Sequence, residues 1–395
     1  MFRQKYEFWF DIRNAPNFAF EMAGLYIHIP FCKQACHYCD FHFSTDTKHR
    51  AQVVHAIVNE IELQKSYLDK EPINTIYFGG GTPSLLALHE IEIILQTIYK
   101  TFHVAGSPEV TLEANPDDMA YQKLLGFKEM GINRLSIGIQ SFDDAILKFL
   151  NRAHDARSAF ASLAQAREAG FNNISVDLMY SIPGQDSATW ERNIDQAIAL
   201  GPEHISAYAL TIEPRTVFGK WKAAKKIKEQ DNDSSAQDLL VLIDYLEKAG
   251  FDHYEVSNFS KPGFISNHNS NYWKAEKYLG IGPSAHSYNG ISRQYNISNN
   301  HLFLNSINAG KIPATLEILT REDKINDCLL TTLRTSWGAD LKGLVQDHQY
   351  DLLQLQGDYV TRLLDNNLAI LSKESLILTK SGRLLADKIA SDLFI

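Results

Sequence analysis

Short runs of β-branched and apolar residues recur through the first half of the chain, at 25–29, 75–78, 109–114, 134–139, 174–178 and 205–210. Between most of them apolar residues return every three or four positions, which predicts helices over 85–102, 118–130, 156–169 and 188–200. Strand alternating with helix is the pattern of βαβ units and a parallel sheet. Six units fall short of the eight that close a barrel, so the expected fold class is α/β, a partial (β/α)6 TIM-like barrel.

The texture changes after this region. Residues 220–228 (KWKAAKKIK) form a lysine-rich face suited to solvent, and 229–235 (EQDNDSS) is a polar break before a helical pattern at 236–249. Residues 256–314 are rich in Asn, Ser, Gly and Tyr and are expected to be irregular. From 315 helical patterns resume and end in the amphipathic LTKSGRLLADKIASDLF, which predicts a small, mainly helical C-terminal domain over 315–395. The barrel is expected over 22–255. Residues 1–21 carry seven aromatics but are interrupted by Arg3, Lys5, Glu7, Asp11 and Arg13, unlike a secretion signal. They are expected to be an upstream extension, with Met22 the working start.

Composition narrows the classes. The 395 residues are 45% hydrophobic, which is ample for real cores and excludes disorder. A formal charge of −9 gives no basic footprint, so nucleic acid is not expected as a partner. No apolar run reaches the roughly 18–20 residues of a membrane span. Three of the four cysteines, Cys32, Cys36 and Cys39, fall within one short loop, and Cys328 stands apart as a small apolar residue. Clustered rather than spread, they point to a metal site in a reducing compartment, with a cytoplasmic location the default.

The unusual residues follow the strands. The cysteines come after the first, Gly79-Gly80-Gly81-Thr82-Pro83 after the second, and Glu113 ends the third. Gln140 follows the fourth, and Asp177 and Ala209 lie near the ends of the fifth and sixth. Loops at strand C-termini form the working face of parallel barrels, so these signals share one rim. CKQACHYC sets three thiolates at i, i+4 and i+7; zinc would call for a fourth ligand, usually in a second pair, and none is present. Three soft thiolates in one loop suit three irons of a 4Fe-4S cluster, leaving the fourth iron open.

Here the sequence resembles the radical S-adenosylmethionine superfamily, whose hallmark CxxxCxxC is met by Cys32, Cys36 and Cys39, with Tyr38 before the last. The resemblance implies a barrel of that type, a 4Fe-4S cluster and S-adenosyl-L-methionine bound at the open iron. In that family the reduced cluster donates an electron to the sulfonium and a 5′-deoxyadenosyl radical forms. It further implies that Gly80, Gly81 and Thr82 bind the amino group, and that Tyr26, Glu113, Gln140, Arg152, Asp177 and Ala209 make the other contacts. Glu113 and Asp177 would accept from ribose hydroxyls or a cationic methionyl group. Arg152 would pair with a carboxylate through its planar fork.

YIHIPFCxxxCxxCDF, YFGGGTPS, LEANP, RLSIGIQSF and DLMYSIPGQ narrow the resemblance to the subgroup of oxygen-independent coproporphyrinogen III dehydrogenase and its heme-chaperone relatives. The dehydrogenase pattern has a further cysteine where this chain has Phe41, and His268–Trp273 match HNxxYW, a motif associated with heme binding in the chaperones. The implied function is heme binding and transfer to a heme-accepting protein of unknown identity, with His268 as axial ligand and no catalytic residue assigned. Tyr272 and Trp273 would pack the macrocycle. The rival functions are oxidative decarboxylation by the dehydrogenase and a radical reaction on another substrate. His28, His37, His42 and His286 acquire no role, and a homodimer stays open.

Overall fold

A computed structural model describes residues 22–395; the expectation for residues 1–21 lies outside the described residues. Six parallel strands, β1 (Ala23–Ile29), β2 (Ile73–Gly80), β3 (Val104–Ala114), β4 (Arg134–Gln140), β5 (Ile174–Tyr180) and β6 (His204–Ala209), pair in chain order. They are joined through α1 (Arg50–Leu63), α2 (Leu88–Thr101), α3 (Tyr121–Glu129), α4 (Asp144–Phe149), α5 (Ala156–Glu168) and α6 (Ser187–Ala199). The partial (β/α)6 barrel is therefore present. After β6 come α7 (Val217–Ala223) and α8 (Asn232–Lys248). Asp155, Asp186 and Asp231 cap α5, α6 and α8 by accepting backbone N–H groups of the first turn, which fixes where these helices begin.

The strands alternate, unlike the continuous apolar runs usual in parallel sheets. Leu25, Ile27 and Ile29, with Ile76, Phe78, Leu112, Ile137, Val176 and Ile205, are fully buried in one core with apolar residues of the helices. Their neighbours Tyr26, His28, Tyr77, Glu113, Ser136, Asp177 and Ser206 face the other way, into the barrel. The inner face is polar because it lines a cavity.

The expected irregular segment is ordered structure. β7 (Asp252–Glu255) and β8 (Asn258–Ser260) continue the sheet antiparallel beyond β6. After α9 (Asn267–Trp273), β9 (Tyr278–Ile281) returns to the opposite edge and pairs parallel with β1. β10 (His286–Tyr288), β11 (Ser292–Asn296) and, after α10 (Asn300–Asn308), β12 (Ala314–Ile318) extend that edge antiparallel to give twelve strands. Strands of three to five residues separated by Asn and Gly turns leave little periodicity to detect. The buried Glu60 carboxylate of α1 pins the extension, accepting from the Gly282 N–H at 2.7 Å and the Asn296 amide at 2.6 Å.

The C-terminal unit has its own core and starts at α11 (Arg321–Thr332), because β12 belongs to the barrel sheet. It continues through β13 (Ala339–Asp340), α12 (Leu341–His348), α13 (Leu352–Asp365), β14 (Ala369–Ser372), β15 (Ser375–Leu378), α14 (Lys380–Arg383) and α15 (Ala386–Asp392). A three-stranded sheet in the order β13-β15-β14 thus accompanies the expected helices. The unit docks through Arg334, whose Nε donates to the fully buried Glu255 at 3.1 Å and whose guanidinium lies 5.5 Å over the Trp273 ring. Replacing Arg334 by Ala strands the Glu255 charge in the interior. The expected result is a loss of roughly 3 kcal/mol in urea unfolding and faster proteolysis between β12 and α11.

Candidate functional site

The β1 strand ends in Pro30-Phe31 and leads straight into the cysteine loop, which β2 approaches from below. Gly81 N–H donates to the Ile29 carbonyl at 2.8 Å and Thr82 N–H to the Phe31 carbonyl at 2.7 Å. A Cβ on Gly81 would stand 2.7 Å from the Phe31 oxygen, and one on Gly80, where φ is +103°, 2.6 Å from the His28 ring. Glycine is required here because two backbones touch.

Cys32, Cys36 and Cys39 line one cavity of about 640 Å³ together with Gly80, Gly81, Thr82, Glu113, Gln140, Arg152, Asp177 and Ala209. That volume lies in the roughly 300–1,000 Å³ range of cofactor sites. Most sequence-predicted rim residues therefore meet at one place. Two do not. Tyr26 lies behind the wall, stacked on Tyr77 at 6.1 Å with its hydroxyl 3.2 Å from His28 Nδ1.

His268 is 1% exposed inside the barrel, at the start of α9. Its Nδ1 is 2.8 Å from the Thr75 hydroxyl, its Nε2 2.9 Å from the Tyr272 hydroxyl, and its ring stacks on Tyr77 at 4.9 Å. The Glu109 carboxylate accepts the N–H groups of Asn267 and His268, fixing the helix start. Both ring nitrogens of His268 are thus engaged within the protein, to Thr75 and Tyr272. The motif owes its spacing to a helix: His268 and Tyr272 bond at i, i+4. Trp273 reaches Arg334, and Asn269, the motif's second residue, lines the cavity.

Arg152 also differs from expectation. One terminal nitrogen donates to Asn115 Oδ1 at 2.7 Å and the Gly138 carbonyl at 2.6 Å; the other lies 3.3 Å from Cys36 Sγ and 3.4 Å from the Tyr38 hydroxyl. The fork holds the cysteine loop rather than standing free for a carboxylate. Thr82 Oγ1 donates to Cys32 Sγ at 3.4 Å. Gln140 takes φ +68°, a strained conformation for a side-chain-bearing residue, at a register shift between β4 and β5. Tyr77, Ser136 and Tyr208 complete the wall and escaped notice, although strand alternation puts them in phase with Gly79, Gly138 and Ser206.

Burial raises the Glu113 pKa to about 7, and repulsion from Asp177 adds to it against the Tyr77 hydroxyl bond at 2.8 Å. Asp177 rises to about 6 for the same leading reason, though Ser136 donates to it at 3.1 Å. Burial pushes the Cys32 thiol up to about 11 and Cys39 to about 12, with neighbouring thiolates reinforcing the shift. Among the described residues no three His, Cys, Asp or Glu side chains converge tightly enough to hold a single metal ion.

Two outcomes follow. Carboxylates with folded pKa values raised above about 4 favour the fold at low pH and lose that contribution as pH rises through 6–7. The ligand-free protein should lose on the order of a few kcal/mol from these groups between pH 5 and 8, and Glu113→Gln should flatten that slope in urea midpoints. His268→Ala should cost about 2–4 kcal/mol by leaving Thr75 and Tyr272 unpaired beside a cavity, read in the same assay.

The Radical SAM superfamily model matches residues 26–197. The chain is 33% identical over 372 residues to the heme chaperone HemW of Bacillus subtilis, covering 93% of this chain and 98% of that one. It is 31% identical over 357 residues to HemW of Lactococcus lactis, covering 90% and 93%. Coproporphyrinogen III oxidase (HemN) of Escherichia coli shares the fold, with a TM-score of 0.80 at 23% identity over 94% of this chain and 90% of that one. No described helix is long and apolar enough to cross a membrane. The chain belongs to the HemW family of the radical S-adenosylmethionine superfamily.

Proposed function

We propose that this protein is a cytoplasmic heme chaperone: it binds heme, passes it to an acceptor protein, and carries a 4Fe-4S cluster and S-adenosylmethionine in the cavity. The observation that carries this reading is the meeting of three loop thiols with the Gly80–Thr82 turn, Glu113, Gln140, Asp177 and Ala209 on one wall, in a chain whose full-length relatives are named heme chaperones.

The donor set fits an iron–sulfur cluster. Three sulfur donors are available, and burial disfavours the Cys32 and Cys39 thiolates unless cationic iron offsets the charge. Cys32, Cys36 and Cys39 would hold it, and when bound it supplies one electron to the sulfonium of S-adenosylmethionine. The chain's own contribution is placement. Arg152 fixes Cys36 and Tyr38, Thr82 fixes Cys32, and the backbone of Gly80 and Gly81 leaves room for a close amino group. Glu113 and Asp177 offer acceptors near their neutral points, so a cationic or hydroxyl-bearing ligand would draw them to the ionised form.

Phe41 separates this reading from decarboxylation. At the position of the dehydrogenase's further cysteine, the chain presents an aromatic ring, 74% exposed, at the cavity mouth. The test is anaerobic. Cys36→Ala should abolish the brown 4Fe-4S absorbance after reconstitution. Wild type supplied with S-adenosylmethionine and coproporphyrinogen III should yield no protoporphyrinogen, yet take up heme stoichiometrically and release it to an apo-hemoprotein. Catalytic decarboxylation would overturn the chaperone reading, and a cluster surviving in Cys36→Ala would overturn the ligand set.

A further inference from the structure

We propose that the basic face formed by α7 and the turn after it is the docking surface for a small acidic one-electron carrier protein, which reduces the cluster. This deepens the reading above that Cys32, Cys36 and Cys39 hold a 4Fe-4S cluster, and rests on it.

The charge runs against the trend of the chain. Residues 215–228 contain Arg215, Lys220, Lys222, Lys225, Lys226 and Lys228 without one Asp or Glu, in a protein of formal charge −9. All six side chains belong to exposed residues. Arg215 lies 3.4 Å from Asp40, Lys222 pairs with Glu229, and the charge of Lys228 is felt at Asp231. Among the described residues Lys220, Lys225 and Lys226 have no carboxylate partner. Attraction to the C-terminal end of α7 accounts for cations in its last turn, but Lys225, Lys226 and Lys228 lie past that end.

The place of this face gives it a use. α7 is packed directly on the cysteine loop: the Phe218 N–H donates to the His37 carbonyl at 3.0 Å, and the His37 and Trp221 rings meet at 4.9 Å. His37 stands between Cys36 and Cys39 in the chain. Tyr38, Phe149, Phe218, Trp221 and Ile227 belong to one apolar cluster, which anchors the lysine-bearing turn to that loop. A helix is about 10 Å across, so a protein resting on the outside of α7 is one helix away from the loop that carries the sulfurs. The Arg215–Asp40 pair continues the face toward the cavity mouth, where Phe41 is exposed. An exposed aromatic beside basic side chains suits a protein interface. The lysines are spread over the outside of a helix and a turn, which fits a broad acidic surface better than a small anion.

The step is electron transfer alone. The carrier is oxidised by one electron and the cluster is reduced by one; no bond forms or breaks, and no proton moves. Attraction between this face and an acidic carrier raises the encounter rate and orients the pair, which the net negative charge of the chain would otherwise oppose.

The test uses the full-length protein with its cluster reconstituted anaerobically, and flavodoxin, an acidic one-electron flavoprotein, as the probe. The triple variant Lys220→Glu, Lys225→Glu, Lys226→Glu should bind flavodoxin about tenfold more weakly and lose most of the salt dependence of binding. Cluster reduction by flavodoxin, followed by EPR, should slow in proportion, while dithionite, which needs no docking, should reduce the variant and the wild type equally fast. A control of equal charge change on three exposed lysines elsewhere, Lys65→Glu, Lys311→Glu, Lys373→Glu, should behave as wild type. Wild-type affinity and reduction rate in the α7 variant, or an equal loss in the control, would overturn the docking surface. Binding of the wild type to phosphatidylglycerol vesicles but not to flavodoxin, abolished by the same three reversals, would assign the face to a membrane surface and overturn the proposal. A wild type that assembles no cluster reducible by dithionite would overturn the cluster reading, and this proposal with it.

Discussion

Everything at this site depends on the contact between the end of β2 and the backbone that leaves β1. Gly81 and Thr82 donate to Ile29 and Phe31 across a gap in which a Cβ would sit under 3 Å from main-chain atoms. That contact sets where the cysteine loop begins, and Arg152 sets where it lies by reaching Cys36 and Tyr38 from the far wall. A side chain at Gly81 would push the loop outward and move all three sulfurs together. The glycines matter twice, since the backbone they free from side chains is also cavity wall.

The polar inner face is costly to maintain. Asp177 holds Ser136, Ser175 lies 2.8 Å from His204, and His204 lies 2.7 Å from Tyr254, so donors and acceptors are matched down the interior. Satisfied in this way, buried polar groups are tolerable; left unmatched, each would cost about 1–3 kcal/mol. Glu113 and Asp177 are bonded within this network too, yet burial raises both pKa values, which singles them out as groups placed to meet a ligand. The outer face, by contrast, is an ordinary core of Ile, Leu and Val under helices.

What the sequence disclosed follows from range. The six parallel strands and the cysteine spacing are local patterns, and both are present at nearly the expected positions. The β9–β12 extension was illegible because its strands are short and its partner, β1, lies at the other end of the barrel region. His268 is a different case. A motif match identifies residues that travel together but not the reason, and here a helix turn bonds His268 to Tyr272 inside the barrel.

The seven residues of α9 consequently join three parts of the molecule. Asn269 is cavity wall, His268 is wedged between Thr75 and Tyr77 of β2, and Trp273 lies under Arg334 of the C-terminal unit. Such a short helix has little stability of its own and is held by these contacts together with the Glu109 carboxylate at its start. A displacement at any one contact is therefore shared by the others, because no internal hydrogen-bond ladder of useful length resists it. The cavity, the barrel interior and the docking of the C-terminal unit are thereby set by one element. Substitutions in α9 alter site geometry and domain packing together, and a loss of ligand binding there is not evidence that the altered residue touched the ligand.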